Sequence, residues 1–261
     1  MDVKYRKERK KGRILLSGMV IAGVLAVGVK KLPATIAVSQ NMGARQLPVY
    51  SVKTGRNLVA LSFDAAWGDE DTGQILKILK RHKVNVTFFA TGGWIKQYPE
   101  AVKQVLKDGH ELGNHSESHP HLTTLSKEGI RQELMRPHQR VKKLTGYEMK
   151  VFRPPYGDYN NLVIATAREC GYLPIQWSVD SLDWKDYGKQ AIVDTVLHSK
   201  NLKAGAIILC HNGAKYTASA LEELLDGLEK AGFQIVPVSK LVIRSHYRID
   251  GNGMQIPLRE E

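Results

Sequence analysis

Six side chains in the sequence have the chemistry of proton transfer or ion binding. Each stands where a short apolar run gives way to polar residues. His115 and His119 are four apart, with Ser116, Glu117 and Ser118 between them. On a helical turn that spacing sets both imidazoles on one side, as a zinc site requires. Asp64 closes an apolar run over 57–63. A carboxylate at the end of such a run needs a partner, and a partly buried one can serve as a general base. Arg153 is suited to hold it ionised through a charge-assisted pair. His211 follows Ile207, Ile208, Leu209 and Cys210. With Asp183 to fix its tautomer and raise its pKa, this histidine reads as a general acid.

The stretches between these groups must position them, and their periodicity alternates. Apolar, β-branched or aromatic runs predict strands over 57–63, 84–90, 110–113, 150–152, 173–179, 206–209 and 234–238. Helical spacing and capping residues predict helices over 71–82, 99–107, 126–144, 160–170, 189–200 and 219–231. Roughly seven strand–helix units in series imply an α/β fold with parallel strands and helical crossovers. Seven units in about 190 residues suit a closed or nearly closed barrel better than an open sheet. In such barrels chemistry sits where strands end. Asp64, His115, Arg153, Asp183 and His211 all fall just there.

The whole chain has 261 residues, of which 43% are apolar and 25% charged. That composition excludes a mostly disordered protein. Two cysteines, Cys170 and Cys210, are too few for a disulfide framework or a zinc ribbon. The net charge is +12. Residues 1–31 hold nine Lys/Arg against two acids, whereas the other 230 hold 29 against 24. The basic excess is therefore mainly terminal, and with no recognition motif present it argues against a nucleic-acid partner. Residues 14–29 carry no charge and lie between a basic preface and Lys30–Lys31. They read as a membrane anchor, or as a signal segment cleaved near Ala37-Val38-Ser39, with the body outside the cytoplasm. The expected organisation is 1–31 basic region and hydrophobic helix, 32–56 linker, 57–243 a single catalytic domain, and 244–261 a polar tail.

Five stretches occur in order and together resemble the carbohydrate esterase family 4 polysaccharide deacetylases, the NodB-homology domain. They are Ser62-Phe63-Asp64, His115-x-x-x-His119, Arg153-Pro154-Pro155-Tyr156, Asp180-x-x-Asp183-Trp184 and Leu209-x-His211. The likeness spans about 58–242. It implies a distorted seven-stranded (β/α) barrel and hydrolytic removal of acetyl groups from N-acetylated sugar units. It implies that Asp64 deprotonates the attacking water and that Arg153 steadies Asp64. His115 and His119 are then ligands of a divalent metal, usually zinc. His211 protonates the departing amine and Asp183 orients it. The backbone amide of Tyr156 helps hold the oxyanion. Apart from the resemblance, Trp67 and Trp184 stand beside motif residues, where a ring either stacks on a sugar face or packs.

One departure matters. The family's second aspartate, its third metal ligand, is Ala65 here. Asp69, Glu70 and Asp71 follow and are candidates to replace it or to cap the next helix. The wording Phe63-Asp64-Ala65-Ala66-Trp67-Gly68 is similar to the family's sporulation-associated branch, which implies peptidoglycan as the cell-wall glycan. Chitin oligomers and acetylated xylan are alternatives within the same chemistry. A glycan-binding protein, inactive through Ala65, is an alternative outside it.

Overall fold

Eight consecutive buried residues, Leu58–Ala65, form the strand around which the rest is assembled. The computed structural model describes residues 45–258. The uncharged segment 14–29 lies outside the described residues. Among the described residues no helix is long and apolar enough to cross a membrane.

In chain order the elements are β1 (Ser51–Val52), β2 (Leu58–Ala65), α1 (Thr72–Arg81), β3 (Thr87–Ala90), α2 (Gly92–Gln97), α3 (Pro99–Lys107), β4 (Glu111–Asn114) and α4 (Lys127–Thr145). Then come β5 (Val151–Phe152), α5 (Asn161–Glu169), β6 (Leu173–Pro174), β7 (Val179–Asp180), α6 (Lys189–Leu197), β8 (Ile207–His211) and α7 (Thr217–Lys230). The chain ends with β9 (Gln234–Val236), α8 (Val238–Leu241), β10 (Tyr247–Ile249) and β11 (Met254–Pro257). Helix α4 starts where Ser126 Oγ accepts the Gly129 N–H and stops at Gly146, whose φ is +75°.

Seven parallel strands lie in the order β6-β5-β4-β3-β2-β8-β7. Strand β9 adds to the first half of β2, in register Leu58↔Gln234 to Ala60↔Val236. Side chains of β2 alternate between two apolar layers. Val59, Leu61 and Phe63 pack with Ile75, Leu79 and Leu221 of the helices. Leu58 and Ala60 pack on the other face with Phe89, Ile175 and Ile207. Alternation carries the inner row on through Ser62 to Asp64.

The sheet departs from the expected barrel in that it does not close. Strands β6 and β7 are its two ends, and the single strand expected over 173–179 is divided between them. Past Pro174 the chain turns to a different partner. Ile175 bridges Val49, and the Gln176 N–H donates to Val49 O at 2.7 Å. Ser51 bridges Ala206 on the other side of the opening. The result is a curled half-barrel whose gap is crossed by 49–52. That segment is thus part of the fold rather than linker. The stretch expected to be a polar tail is also ordered: β10 and β11 pair antiparallel, and β11 pairs with β1. Gln255 is fully buried and bonds Ile243 through both its amide nitrogen and its oxygen.

Gly205 marks how tightly β1 is seated. Its φ is +88°, and a Cβ there would lie 1.7 Å from Val52 O. Gly205→Ala should therefore cost about 2–4 kcal/mol in denaturant unfolding, from strain and backbone displacement together. A variant as stable as the parent would show that the 49–52 crossing is dispensable.

Candidate active site

Asp64 reaches the end of β2 paired in register with His211 of β8 and Phe89 of β3. It is buried, and Arg153 N–H donates to its Oδ1 at 2.6 Å. Arg153 has no exposed surface. Its guanidinium lies 4.2 Å from the Phe89 ring centroid and also donates to Ser62 Oγ and Gln176 O. Ser62 in turn donates to Ile208 O at 2.7 Å. Burial by itself would raise the Asp64 pKa. The Arg153 charge, with His115 and His211 nearby, outweighs it and holds the carboxyl below its usual range.

His115 donates from Nδ1 to Arg153 O at 2.7 Å, which fixes its tautomer and leaves Nε2 as a lone-pair donor. That Nε2 lies 3.4 Å from Asp64 Oδ2 and 3.2 Å from His119 Nε2. Burial lowers the pKa of His115, and lowers that of His119 to about 4. Both rings are neutral at pH 7. The two nitrogens have the separation of ligands at ~2.0–2.1 Å from one ion in tetrahedral geometry. A lone pair facing a carboxylate oxygen also favours a cation. The pair therefore fits a divalent ion as two of its protein ligands. Among the described residues no third donor shares a common ligand position with both histidines.

These rings do not sit on a helical turn, as their spacing suggested. Ser116 and His119 have φ of +69° and +58°, and the loop is held from outside. Glu133 of α4 accepts the Glu117 and Ser118 N–H groups at 3.0 and 2.8 Å. Arg140 of α4 grips the Glu117 carboxylate at 2.8 and 2.7 Å. The sequence carries no signal for these supports, because α4 reads as a solvated charged helix.

On the other side of Asp64, His211 Nδ1 meets Asp183 Oδ1 at 2.7 Å. Asp183 Oδ2 accepts the His211 backbone N–H at 2.7 Å and the Thr217 hydroxyl at 2.6 Å. Burial by itself would lower the His211 pKa. The bond to Asp183 and its charge, with Asp64 and Asp180 further off, outweigh that and raise it. The half-exposed Trp67 stacks on the His211 ring, centroids 5.0 Å apart and planes 21° apart. Thr217 is thus an addition to the residues expected from sequence.

Of the acids after Ala65, Asp71 is committed elsewhere. Asp71 Oδ1 accepts the Gly213 N–H at 2.8 Å, and Asn212 Nδ2 donates to Thr72 Oγ1 and Gly68 O. Asp71 therefore ties two loops together and does not replace the missing ligand. Tyr156 (φ +59°) and Trp184 are both exposed. The Tyr156 ring abuts His119 edge-on at 4.5 Å and stacks on His121 at 4.4 Å. An ionised carboxylate and an imidazole whose protonated form is favoured, on neighbouring strands, are the two kinds of proton-transfer group that amide hydrolysis needs.

Residues 51–175 match the family model for polysaccharide deacetylase. A peptidoglycan-N-acetylglucosamine deacetylase of Bacillus cereus is 36% identical over 76% of this chain and 93% of its own. The peptidoglycan-N-acetylmuramic acid deacetylase PdaA of Bacillus subtilis is 33% identical over 77% of each. Among solved structures, a CE4 family pseudoenzyme from Bacillus anthracis superposes with a TM-score of 0.72 at 28% identity, over 82% of this chain and 73% of its own. A mutant of that pseudoenzyme has restored enzymatic activity. The chain belongs to the carbohydrate esterase family 4 polysaccharide deacetylases, hydrolases that act on carbon–nitrogen bonds other than peptides.

Ala65 ends β2 and is fully buried. A carboxylate there would be costly unless a cation took it up. Ala65→Asp should bind zinc more tightly than the parent, and its zinc-free form should melt lower and recover on adding zinc. His115→Ala should bind more weakly. Calorimetric titration with thermal melts decides it. If Ala65→Asp binds no better and His115→Ala no worse, the two histidines are not ligands.

Proposed function

We propose that this chain hydrolyses the N-acetyl groups of amino sugars in peptidoglycan. The observation that carries the reading is the pairing of Asp64 with His211 on adjacent strands, each locked by its own partner into the charge state its role demands. Asp64, ionised against Arg153, takes the proton of the attacking water. His211, protonated against Asp183, gives its proton to the departing sugar amine. The backbone N–H of Tyr156 makes no hydrogen bond among the described residues and is offered to the developing oxyanion. Trp184, with Trp67 beside His211, offers an exposed ring face to the sugars. His115 and His119 would hold a divalent ion, which we take to be zinc and which would polarise the acetyl carbonyl. The basic preface and the uncharged 14–29 support a body held outside the cytoplasm, where the wall is.

The test is acetate release from purified peptidoglycan by the full chain. Asp64→Asn and His211→Ala should each lower turnover by ~10²–10⁴ while the fold survives. An active Asp64→Asn variant would remove Asp64 from the chemistry. A second reading, glycan binding without turnover, is favoured by Ala65 together with the likeness to a pseudoenzyme. It predicts no acetate release from the parent chain and release from Ala65→Asp.

The pH profile has a defined sign. A base with a lowered pKa stays ionised further into acid, and an acid with a raised pKa stays protonated further into alkali. Activity should thus fall on the alkaline side as pH passes the raised pKa of His211. Removing the Asp183 charge removes the largest of the interactions that raise it. In Asp183→Asn the alkaline limb of kcat/KM should move to lower pH. An unmoved limb would show that His211 is not the group titrating there.

A further inference from the structure

Two lysines stand on the loops that carry Asp183 and His211. Lys185 Nζ lies 5.1 Å from the Trp184 ring centroid and 5.8 Å from that of Tyr187. Lys215 Nζ lies 5.1 Å from the Tyr216 ring centroid. Nearby Lys189 is paired with Glu223 at 3.0 Å, but neither Lys185 nor Lys215 reaches a carboxylate among the described residues. An aromatic face restricts an ammonium group without cancelling its charge, so both charges are left for a ligand.

Among the described residues the acids of these loops form no ion pair with either lysine. Asp183 is consumed by His211 and Thr217. Asp180 accepts the Leu182 N–H. Asp186, exposed next to Lys185, is a further opposing charge on that turn. The turn itself is stiff: Leu182 and Asp186, on either side of Asp183–Lys185, both have φ of +55°. Such strain persists only where the surroundings fix it. The Lys185 side chain and the exposed rings of Trp184 and Tyr187 are thereby held on the segment that positions the acid.

We propose that Lys185 and Lys215 recognise a carboxylate on the glycan beside the reacting N-acetylated sugar, so that the chain selects acidic peptidoglycan strands over neutral chitin or xylan. The inference rests on the reading of this cleft as a glycan site, and it names the substrate class. The carboxylate has two sources, the lactyl ether of muramic acid and the stem peptide attached to it.

The test is calorimetric binding to the full chain carrying Asp64→Asn, so that turnover does not intervene. The ligands are peptidoglycan oligomers with stem peptides, the same strands after an amidase has removed the peptides, and chitotetraose. Lys185→Gln and Lys215→Gln should each weaken binding of acidic strands ~2–5-fold, and together ~5–20-fold, with chitotetraose unchanged. The loss should shrink at high salt, and Asp186→Asn should tighten acidic strands. The lactyl carboxyl is an amide while the peptide is attached, so a loss confined to amidase-treated strands assigns the lactyl carboxylate, a loss confined to peptide-bearing strands assigns the peptide, and a loss on both assigns both. Equal weakening of chitotetraose, or no weakening of acidic strands, overturns the inference. Acetate release by the Asp64 form, measured in parallel, separates the two readings. Charge discrimination without turnover refutes the deacetylase and leaves this inference standing. Binding to none of the glycans refutes both.

Discussion

A guanidinium with no exposed surface must be neutralised where it lies, and Arg153 is met by Asp64. The pair joins distant parts of the sheet. Asp64 and Ser62 come from the central strand, Arg153 follows β5, and Gln176 follows β6 near the open edge. Ser62 passes the contact on to Ile208 of β8. Taking one member of such a buried pair away commonly costs ~3–5 kcal/mol, because the other is left charged and dry. Stability and the ionisation of Asp64 therefore rest on the same contact. His115 is drawn in as well, since its tautomer is set by Arg153's own carbonyl.

Around this pair, three kinds of charge state stand within a few ångströms. Asp64 is held anionic, His211 is pushed toward its protonated form, and His115 with His119 is kept neutral. Each state has its own anchor: Arg153, Asp183, or burial itself. Proximity alone would couple these groups and blur their roles. Separate anchors keep the assignments apart, which lets one small site hold the proposed base, acid and ion-binding pair.

The groups proposed to do the chemistry were legible because each stands at the end of an apolar run, and parallel strands gather their ends on one side. Asp64, His115, Arg153, Asp183 and His211 all meet as that rule expects. What was not legible depended on pairing across the chain. The split of 173–179 arises because Ile175 finds Val49, more than a hundred residues upstream, and no local pattern announces it. The ordering of 244–261 depends on β1 for the same reason. Glu133 and Arg140 looked like solvent-facing charges because a charged helix face has the same composition whether it meets water or a loop. Asp71 stood where either a ligand or a helix cap would suit it, and its bond to Gly213 is neither.

The bonds between the Trp67–Thr72 segment and the His211–Gly213 loop have a thermodynamic consequence. Asp71, Thr72, Gly68 and Asn212 cross-tie the two segments, so the ring that stacks on His211 and His211 itself are set in place together during folding. The freedom that a looser cleft would surrender on meeting its ligand has already gone. Any ordering on association then falls on the glycan strand, whose glycosidic torsions must settle into a mould that does not adapt. A stiff, regular polymer is a better match for such a mould than a floppy one. Selectivity can then arise from the conformation a strand already holds in the wall as well as from the groups it carries.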